Sequence, residues 1–177
     1  MMSTYISGGC KNGKSYYAQR IAQAAGRPLY YIATMIPHDG EDRARIKRHR
    51  DERAGWGFET LEQGRDITAC LDRADPRGSF LLDSVTALLS NEMFAPEGIN
   101  HGAHLKIADG LIEFVRRAPN TVLVSDFIFS DAMLYDPLTE EYRRALAHID
   151  RRMAACCDNV LEIVGGQVIV HKGVLPL

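Results

Sequence analysis

Residues 8–15 read Gly-Gly-Cys-Lys-Asn-Gly-Lys-Ser and fit G-x-x-x-x-G-K-[ST], at the point where the short apolar strand pattern 4–7 gives way to a helical one. A fit of this kind arises by chance in a chain of this length on the order of once in a hundred sequences or fewer. Gly8 and Gly13 let the backbone turn tightly and bring successive N–H groups up to a polyphosphate with no Cβ in the way. Lys14 supplies a point charge for the outer phosphates and Ser15 a hydroxyl for Mg²⁺, while the helix starting there adds the positive end of its dipole. Gly9, Cys10, Lys11 and Asn12 complete the expected nucleotide-binding loop, with Cys10 as a small side chain at an unconstrained position. The alternative is a plain glycine turn.

Three further stretches carry candidate chemistry. Residues 41–53 (E-D-R-A-R-I-K-R-H-R-D-E-R) have one large apolar side chain, Ile46, surrounded by charge. Core burial cannot hold such a helix, which leaves two readings: a solvated helix laced with i,i+4 ion pairs, or a helix whose His49, flanked by Arg48, Arg50 and Arg53, faces a phosphate-rich ligand. The apolar run 79–83 ends in Asp83, and an acid at the carboxyl end of a buried strand downstream of a phosphate loop is a Mg²⁺ position. Helix capping is the other role open to Asp83, one that Ser84 can fill instead. His101 and His104 have a metal-ligand spacing but no third ligand nearby, which favours a surface role.

The elements that position these residues alternate. A strand at 4–7, a helix at 14–25 and an apolar strand at 29–33 make a first βαβ unit. An extended stretch at 56–62, a helix at about 65–74, the strand 79–83 and a helix at 85–94 follow. Residues 96–102 read as a loop, 103–117 as an amphipathic helix, 121–125 as a buried strand ending at Asp126, 127–137 as an apolar loop and 138–157 as a long helix. Two strands around Gly165-Gly166 close the pattern. The expected fold is α/β, a P-loop NTPase-like, mostly parallel sheet flanked by helices with an antiparallel hairpin at its edge, formed by residues 1–177 as one domain.

Composition bounds the function. A hydrophobic fraction of 46% and a charged fraction of 25% are those of a globular protein, and a net charge of -2 argues against nucleic-acid binding by bulk charge. Cysteines 10, 70, 156 and 157 form no C-x-x-C pair, so neither a zinc site nor a disulfide framework is indicated, as suits a reducing cytoplasm. No window approaches the ~20 apolar residues of a membrane span.

Taken in order, G-G-C-K-N-G-K-S, Y-I-A-T at 31–34, R-I-K-R-H-R-D-E-R at 45–53, Trp56 with Glu62, L-L-D-S-V-T-A-L-L-S-N at 81–91 and T-V-L-V-S at 121–125 carry a resemblance. They resemble the bifunctional adenosylcobinamide kinase/adenosylcobinamide-phosphate guanylyltransferases of cobalamin biosynthesis, over most of the chain and most closely over the first 95 residues. The resemblance implies two reactions. A nucleoside triphosphate, ATP or GTP, phosphorylates the aminopropanol hydroxyl of adenosylcobinamide; GTP then guanylylates an enzyme histidine, and the GMP passes to the cobinamide phosphate. The family pattern R-I-x-x-H-x-x-x-R falls on Arg45, Ile46, His49 and Arg53, making His49 the nucleophile and, with Lys14, a catalytic residue. Flanking arginines suit that role, because they depress an imidazole pKa and neutralise the phosphates it attacks.

The same resemblance sets Ala33, Thr34, Met35, Arg50, Asp51, Glu52, Arg53, Glu62 and Asp83 at nucleotide-binding positions. Ser15 and Asp83 remain the expected Mg²⁺ ligands from the loop motif and the strand-end acid. A carboxylate is the apt reader of guanine N1–H and N2–H₂, which assigns the base to Glu62. It also implies a cytoplasmic homo-oligomer, a trimer in relatives, with small-molecule substrates and neither nucleic acid nor membrane as partner. The departures lie after Ser125. The family continues with Asn-Glu-Val-Gly and a Val-Pro, and this chain with Asp126-Phe127-Ile128-Phe129 and a later Asp136-Pro137; a family G-x-x-N-Q element is replaced by residues 148–152. Either the corrinoid side is altered or one activity is lost. Two other classes use part of the pattern: a generic P-loop small-molecule kinase, and a nucleotide-binding regulator without turnover.

Overall fold

The computed structural model describes residues 2–37 and 39–177, with the side chains of Arg45, His49 and Glu52 outside the description. In chain order the elements are β1 (Thr4–Gly8), α1 (Lys14–Ala25), β2 (Leu29–Ala33), α2 (Gly40–Glu52), β3 (Phe58–Glu62), a 3-10 segment (Ile67–Asp72) and β4 (Ser79–Asp83). They continue with α3 (Val85–Met93), the two-residue strands β5 (Phe94–Ala95) and β6 (Gly98–Ile99), and α4 (Ala103–Arg117). Last come β7 (Thr121–Asp126), α5 (Pro137–Cys156), β8 (Asn159–Val164) and β9 (Gln167–Lys172).

Seven strands form one sheet in the order β3-β2-β4-β7-β1-β8-β9. Every pairing is parallel except β8–β9, the antiparallel edge hairpin expected at Gly165-Gly166. The inner strands read as continuous apolar runs because helices cover both faces, so alternate residues serve two cores. Tyr30, Ile32, Phe80, Leu82 and Leu123 point to one face with α3, α4 and α5. Tyr31, Leu81, Val122 and Val124 point to the other, where Ala18, Ile21 and Ala22 of α1 cover them.

The sequence and the structure differ in two places. The helix expected at 65–74 is a 3-10 segment of six residues; Asp66, in the left-handed region at φ 50°, starts it late, and Arg73 leaves helical geometry before Asp75 and Pro76. The loop expected at 96–102 contains a small hairpin, β5 paired antiparallel with β6, whose turn uses Gly98 at φ 131°. Ser84, not Asp83, caps α3, its side chain accepting from the Ala87 N–H.

The parallel register aligns one row of residues at the carboxyl edge. Gly8 of β1 stands beside Asp126 of β7, and Ala33 of β2 beside both Glu62 of β3 and Asp83 of β4. Ligands of open α/β sheets bind outside this edge, where loops and helix N-termini converge.

Candidate active site

The phosphate loop is held by close approach on both sides. A Cβ on Gly8 would stand 2.5 Å from the Ile163 carbonyl oxygen of β8, so only glycine fits there. Gly13 sits in the left-handed region at φ 94° and starts α1 without a side-chain cap, leaving the first N–H groups of the helix directed out of its end. The Gly165-Gly166 turn leans on the loop: the Gly165 N–H donates to Asn12 Oδ1 at 3.4 Å and the Tyr17 hydroxyl to the Gly166 carbonyl at 3.0 Å.

Lys14 is buried, and a buried ammonium requires partners. Its Nζ donates to the Gly9 carbonyl at 2.8 Å and lies 2.9 Å from Asp126 Oδ1. Asp126 is itself anchored: its N–H donates to the Thr86 hydroxyl at 2.9 Å, and the next N–H, of Phe127, donates to the Gly8 carbonyl at 2.9 Å. Behind it, the Ser125 hydroxyl donates to Asp150 Oδ1 of α5 at 2.9 Å. Burial pushes the Asp150 carboxyl up to about 6; the Ser125 bond pulls against that shift and the nearby Asp126 charge adds to it.

A cavity of about 810 Å³ opens from this end of the sheet toward α2. Cys10, Lys11, Lys14, Ser15, Asp83 and Asp126 line one side of it, and Ile46, Arg48, Arg50, Arg53 and Glu62 line the other. Ala33 and Met35 line it as well. Arg53, just past the end of α2, places its guanidinium 3.4 Å from the centre of the Tyr31 ring, and the Tyr31 hydroxyl donates to Asp83 Oδ2 at 2.9 Å. The helix end and the acid are thereby linked through one tyrosine. Arg50 Nη2 approaches Glu62 Oε1 at 3.4 Å, an exposed pair on the rim.

The remaining expected residues are placed as follows. Gly8, Gly9, Asn12 and Gly13 shape the loop but do not line the cavity. Thr34 is buried and its hydroxyl is engaged with Ser84, accepting from the Ser84 N–H at 2.7 Å and donating to the Ser84 carbonyl at 2.8 Å. Asp51 does not line the cavity and instead pairs with Lys47 at 2.8 Å, one i,i+4 turn back. His49 and Glu52 belong to α2, but their side chains lie outside the described residues. His101 bonds Glu141, whereas His104 packs edge-on against His148, so these two histidines do not converge.

Sequence reasoning missed four contributors. Tyr31 looked like one more apolar strand residue. Asn91 donates through Nδ2 to both the Thr34 carbonyl, at 2.6 Å, and the Gly64 carbonyl, at 2.9 Å, joining two parts of the rim. Ser84 lines the cavity besides capping α3. Asp126 stood in the sequence as the end of a strand and the start of a departure from the family pattern, and a lone acid has no motif around it to mark a site.

Ser15 and Asp83 both line the cavity beside Lys14. One hydroxyl and one carboxylate, with phosphate oxygens and water for the rest, fit Mg²⁺, which is bound by few protein ligands. Among the described residues no group of three His, Cys, Asp or Glu side chains is placed to hold a metal unaided.

Residues 4–170 match the family model described as cobinamide kinase / cobinamide phosphate guanyltransferase. The chain belongs to this family. Among curated relatives, the bifunctional adenosylcobalamin biosynthesis protein CobU of Salmonella typhimurium is 29% identical over 93% of this chain and 97% of its own length. The corresponding protein CobP of Pseudomonas aeruginosa is also 29% identical, over 97% of this chain and 98% of its own. Solved structures share the fold at low identity. The RadB recombinase matches with a TM-score of 0.53 at 14% identity over 99% of this chain and 83% of that one. The P4 protein of bacteriophage phi6, solved with ADP, matches with a TM-score of 0.52 at 15% identity over 95% of this chain and 54% of that one. The fold is thus that of a P-loop NTPase-like sheet. No helix among the described residues is long and apolar enough to cross a membrane.

Proposed function

We propose that this protein phosphorylates adenosylcobinamide and then transfers GMP from GTP to adenosylcobinamide phosphate, the second reaction passing through a guanylylated His49. The observation that carries the reading is a cavity shared by two unlike walls. The phosphate loop with Lys14 stands on one side, and the cationic helix bearing His49 stands on the other.

In the kinase step the acceptor hydroxyl oxygen attacks the γ-phosphorus, the bond from the β–γ bridging oxygen to that phosphorus breaks, and the nucleoside diphosphate leaves. Lys14 exchanges its contact with Asp126 for the outer phosphates, and the N–H groups opening α1 hold the same anion. Ser15 and Asp83 would hold Mg²⁺, which supplies positive charge to the phosphate oxygens as negative charge shifts during transfer.

In the transferase step GTP lies with its outer phosphates on the loop and its base toward Glu62, which accepts from guanine N1–H and N2–H₂. A lone pair of neutral His49 attacks the α-phosphorus and pyrophosphate departs. A phosphate oxygen of the cobinamide phosphate then displaces the imidazole, and GDP-cobinamide forms. Arg50 and Arg53 neutralise charge on the α-phosphate. Glu52, Asp51, Thr34, Ala33 and Met35 belong to the same nucleotide-holding segments by family correspondence. ATP and GTP both serve as substrates, and the working form is a homo-oligomer, a trimer by the same correspondence.

The test is incubation with GTP labelled at the α-phosphate. An acid-labile, base-stable label on the native protein, absent from His49→Ala, is the expected result. Label persisting on His49→Ala overturns the covalent mechanism.

A further inference from the structure

Tyr31, Asp83 and Arg53 come from β2, β4 and the end of α2, and all three line the cavity. In the parallel register Tyr31 stands beside Leu81, and the alternation of a strand turns Asp83, two residues on, to the same face. A tyrosine laid along that face reaches the carboxyl edge, where its hydroxyl donates to Asp83 Oδ2 at 2.9 Å. The ring is seated independently of the acid. It is 4% exposed, belongs to the core beneath α1 and has Phe58 of β3 edge-on at 6.3 Å. The buried Arg53 guanidinium lies over it, 3.4 Å from its centre.

One side chain, fixed by the core, thus offers a face to a cation and a hydroxyl to an anion. The two contacts demand different atoms. Any aromatic face attracts a guanidinium, so the stack needs only the ring. The carboxylate needs the hydroxyl, because a hydrogen bond to one oxygen fixes its rotation while its remaining lone pairs can meet a cation or that cation's water shell. Neither contact follows from the packing of β2, which an apolar residue at this position would satisfy equally well.

We propose, resting on the Mg²⁺ and guanylyl-transfer readings above, that Tyr31 is a positioning residue which serves the site through two separate groups. Its hydroxyl orients the Asp83 carboxylate toward Mg²⁺, and so acts wherever metal and nucleotide bind together. Its ring holds the Arg53 guanidinium at the place where it meets the α-phosphate, and so acts in the transfer to His49. Tyr31 touches neither reacting phosphorus; its effects pass through Asp83 and Arg53.

The experiment compares native protein with Tyr31→Phe, which keeps the ring, and Arg53→Ala, which keeps the hydroxyl. Calorimetry follows binding of α,β-methylene GTP, which a histidine cannot cleave at the α-phosphorus, over a range of Mg²⁺ concentrations. Self-labelling from α-labelled GTP is read at limiting and at saturating Mg²⁺. In Tyr31→Phe the Mg²⁺ concentration that half-saturates analogue binding should rise about tenfold, the lower end of what losing a metal's outer-shell partner costs, while binding without Mg²⁺ holds. Its labelling should fall at limiting Mg²⁺ and recover at saturation. In Arg53→Ala the half-saturating Mg²⁺ should hold while labelling falls at every Mg²⁺ concentration. A rise of less than about threefold in Tyr31→Phe overturns the proposal, as does a labelling loss that saturating Mg²⁺ leaves in place, since the hydroxyl would then serve the packing of the site and not the metal. An Arg53→Ala protein whose Mg²⁺ requirement rises as far as that of Tyr31→Phe overturns the division between ring and hydroxyl. Native protein that binds the analogue without regard to Mg²⁺, or that takes no label, overturns the underlying readings themselves, a result distinct from any variant-specific change.

Discussion

The two walls of the cavity are built by opposite means. On the sheet side Lys14 is buried and the loop is clamped between β7, β8 and the hairpin turn, so its geometry follows from the core. On the helix side no described side chain of α2 is buried, and the half-buried Ile46 is its one large apolar residue. That helix is placed by polar ties: the Asp39 cap accepting from the Asp42 N–H at 2.8 Å, Arg53 on Tyr31, and Arg50 near Glu62. A phosphate anchor gains from rigidity, because its N–H groups must already point at the anion. On the proposed mechanism the helix wall would serve two successive acceptors, a histidine and then a corrinoid phosphate, and such a wall gains from being held by few contacts.

The largest test of this contrast is Lys14→Ala. It removes the phosphate-facing charge from both reactions, so phosphorylation and self-labelling should each drop by about a thousandfold, the scale seen when a preorganised electrostatic group is lost. A drop in only one would mean that the two reactions do not share the loop. Arg53→Ala should separate the walls. The Tyr31 stack is desolvated, where such contacts contribute about 2 kcal/mol, so self-labelling should fall by about ten- to thirtyfold while phosphorylation changes less.

Asp150→Asn probes the sheet side through pH. Its carboxyl stands near 6 in the folded protein against 3.8 ordinarily, so the protonated form is the one folding favours. The stability it contributes is complete below pH 3.8 and is lost as pH rises through 6. The asparagine variant should therefore be more stable than native by about 1–2 kcal/mol at pH 7, with the difference vanishing near pH 3.5, as read by urea denaturation at both values. Smallest is the rim. Arg50→Ala removes an exposed pair, so stability should move by less than about 1 kcal/mol while the KM for GTP rises several-fold. A large stability loss would show that α2 depends on this pair.

The legible parts of the molecule were those where one local constraint sets the residues. Gly8, Gly13, Lys14 and Ser15 announce a phosphate loop because tight backbone approach and a phosphate-facing charge demand those types at that spacing. The parallel strands were legible because burial on both faces produces unbroken apolar runs. Long-range pairings left no such trace. Tyr31 bonds Asp83 across 52 residues, Asn91 reaches Thr34 across 57, and Lys14 meets Asp126 only because β7 inserts between β4 and β1. The α2 segment sat between two readings, and its members divide: Arg48, Arg50 and Arg53 line the cavity while Lys47 and Asp51 form the i,i+4 pair of a solvated face.

The central place of β1 has a consequence for how the protein is made. The strand that carries the phosphate loop is synthesised before both of its neighbours, β7 and β8, and the turn braced on the loop comes later still. A nascent chain thus holds β1 without its neighbouring strands until β7 has emerged, and its nucleotide grip is assembled late, by segments far apart in sequence. Nucleotide supplied during refolding should accordingly act late, locking a sheet that has already formed rather than seeding it.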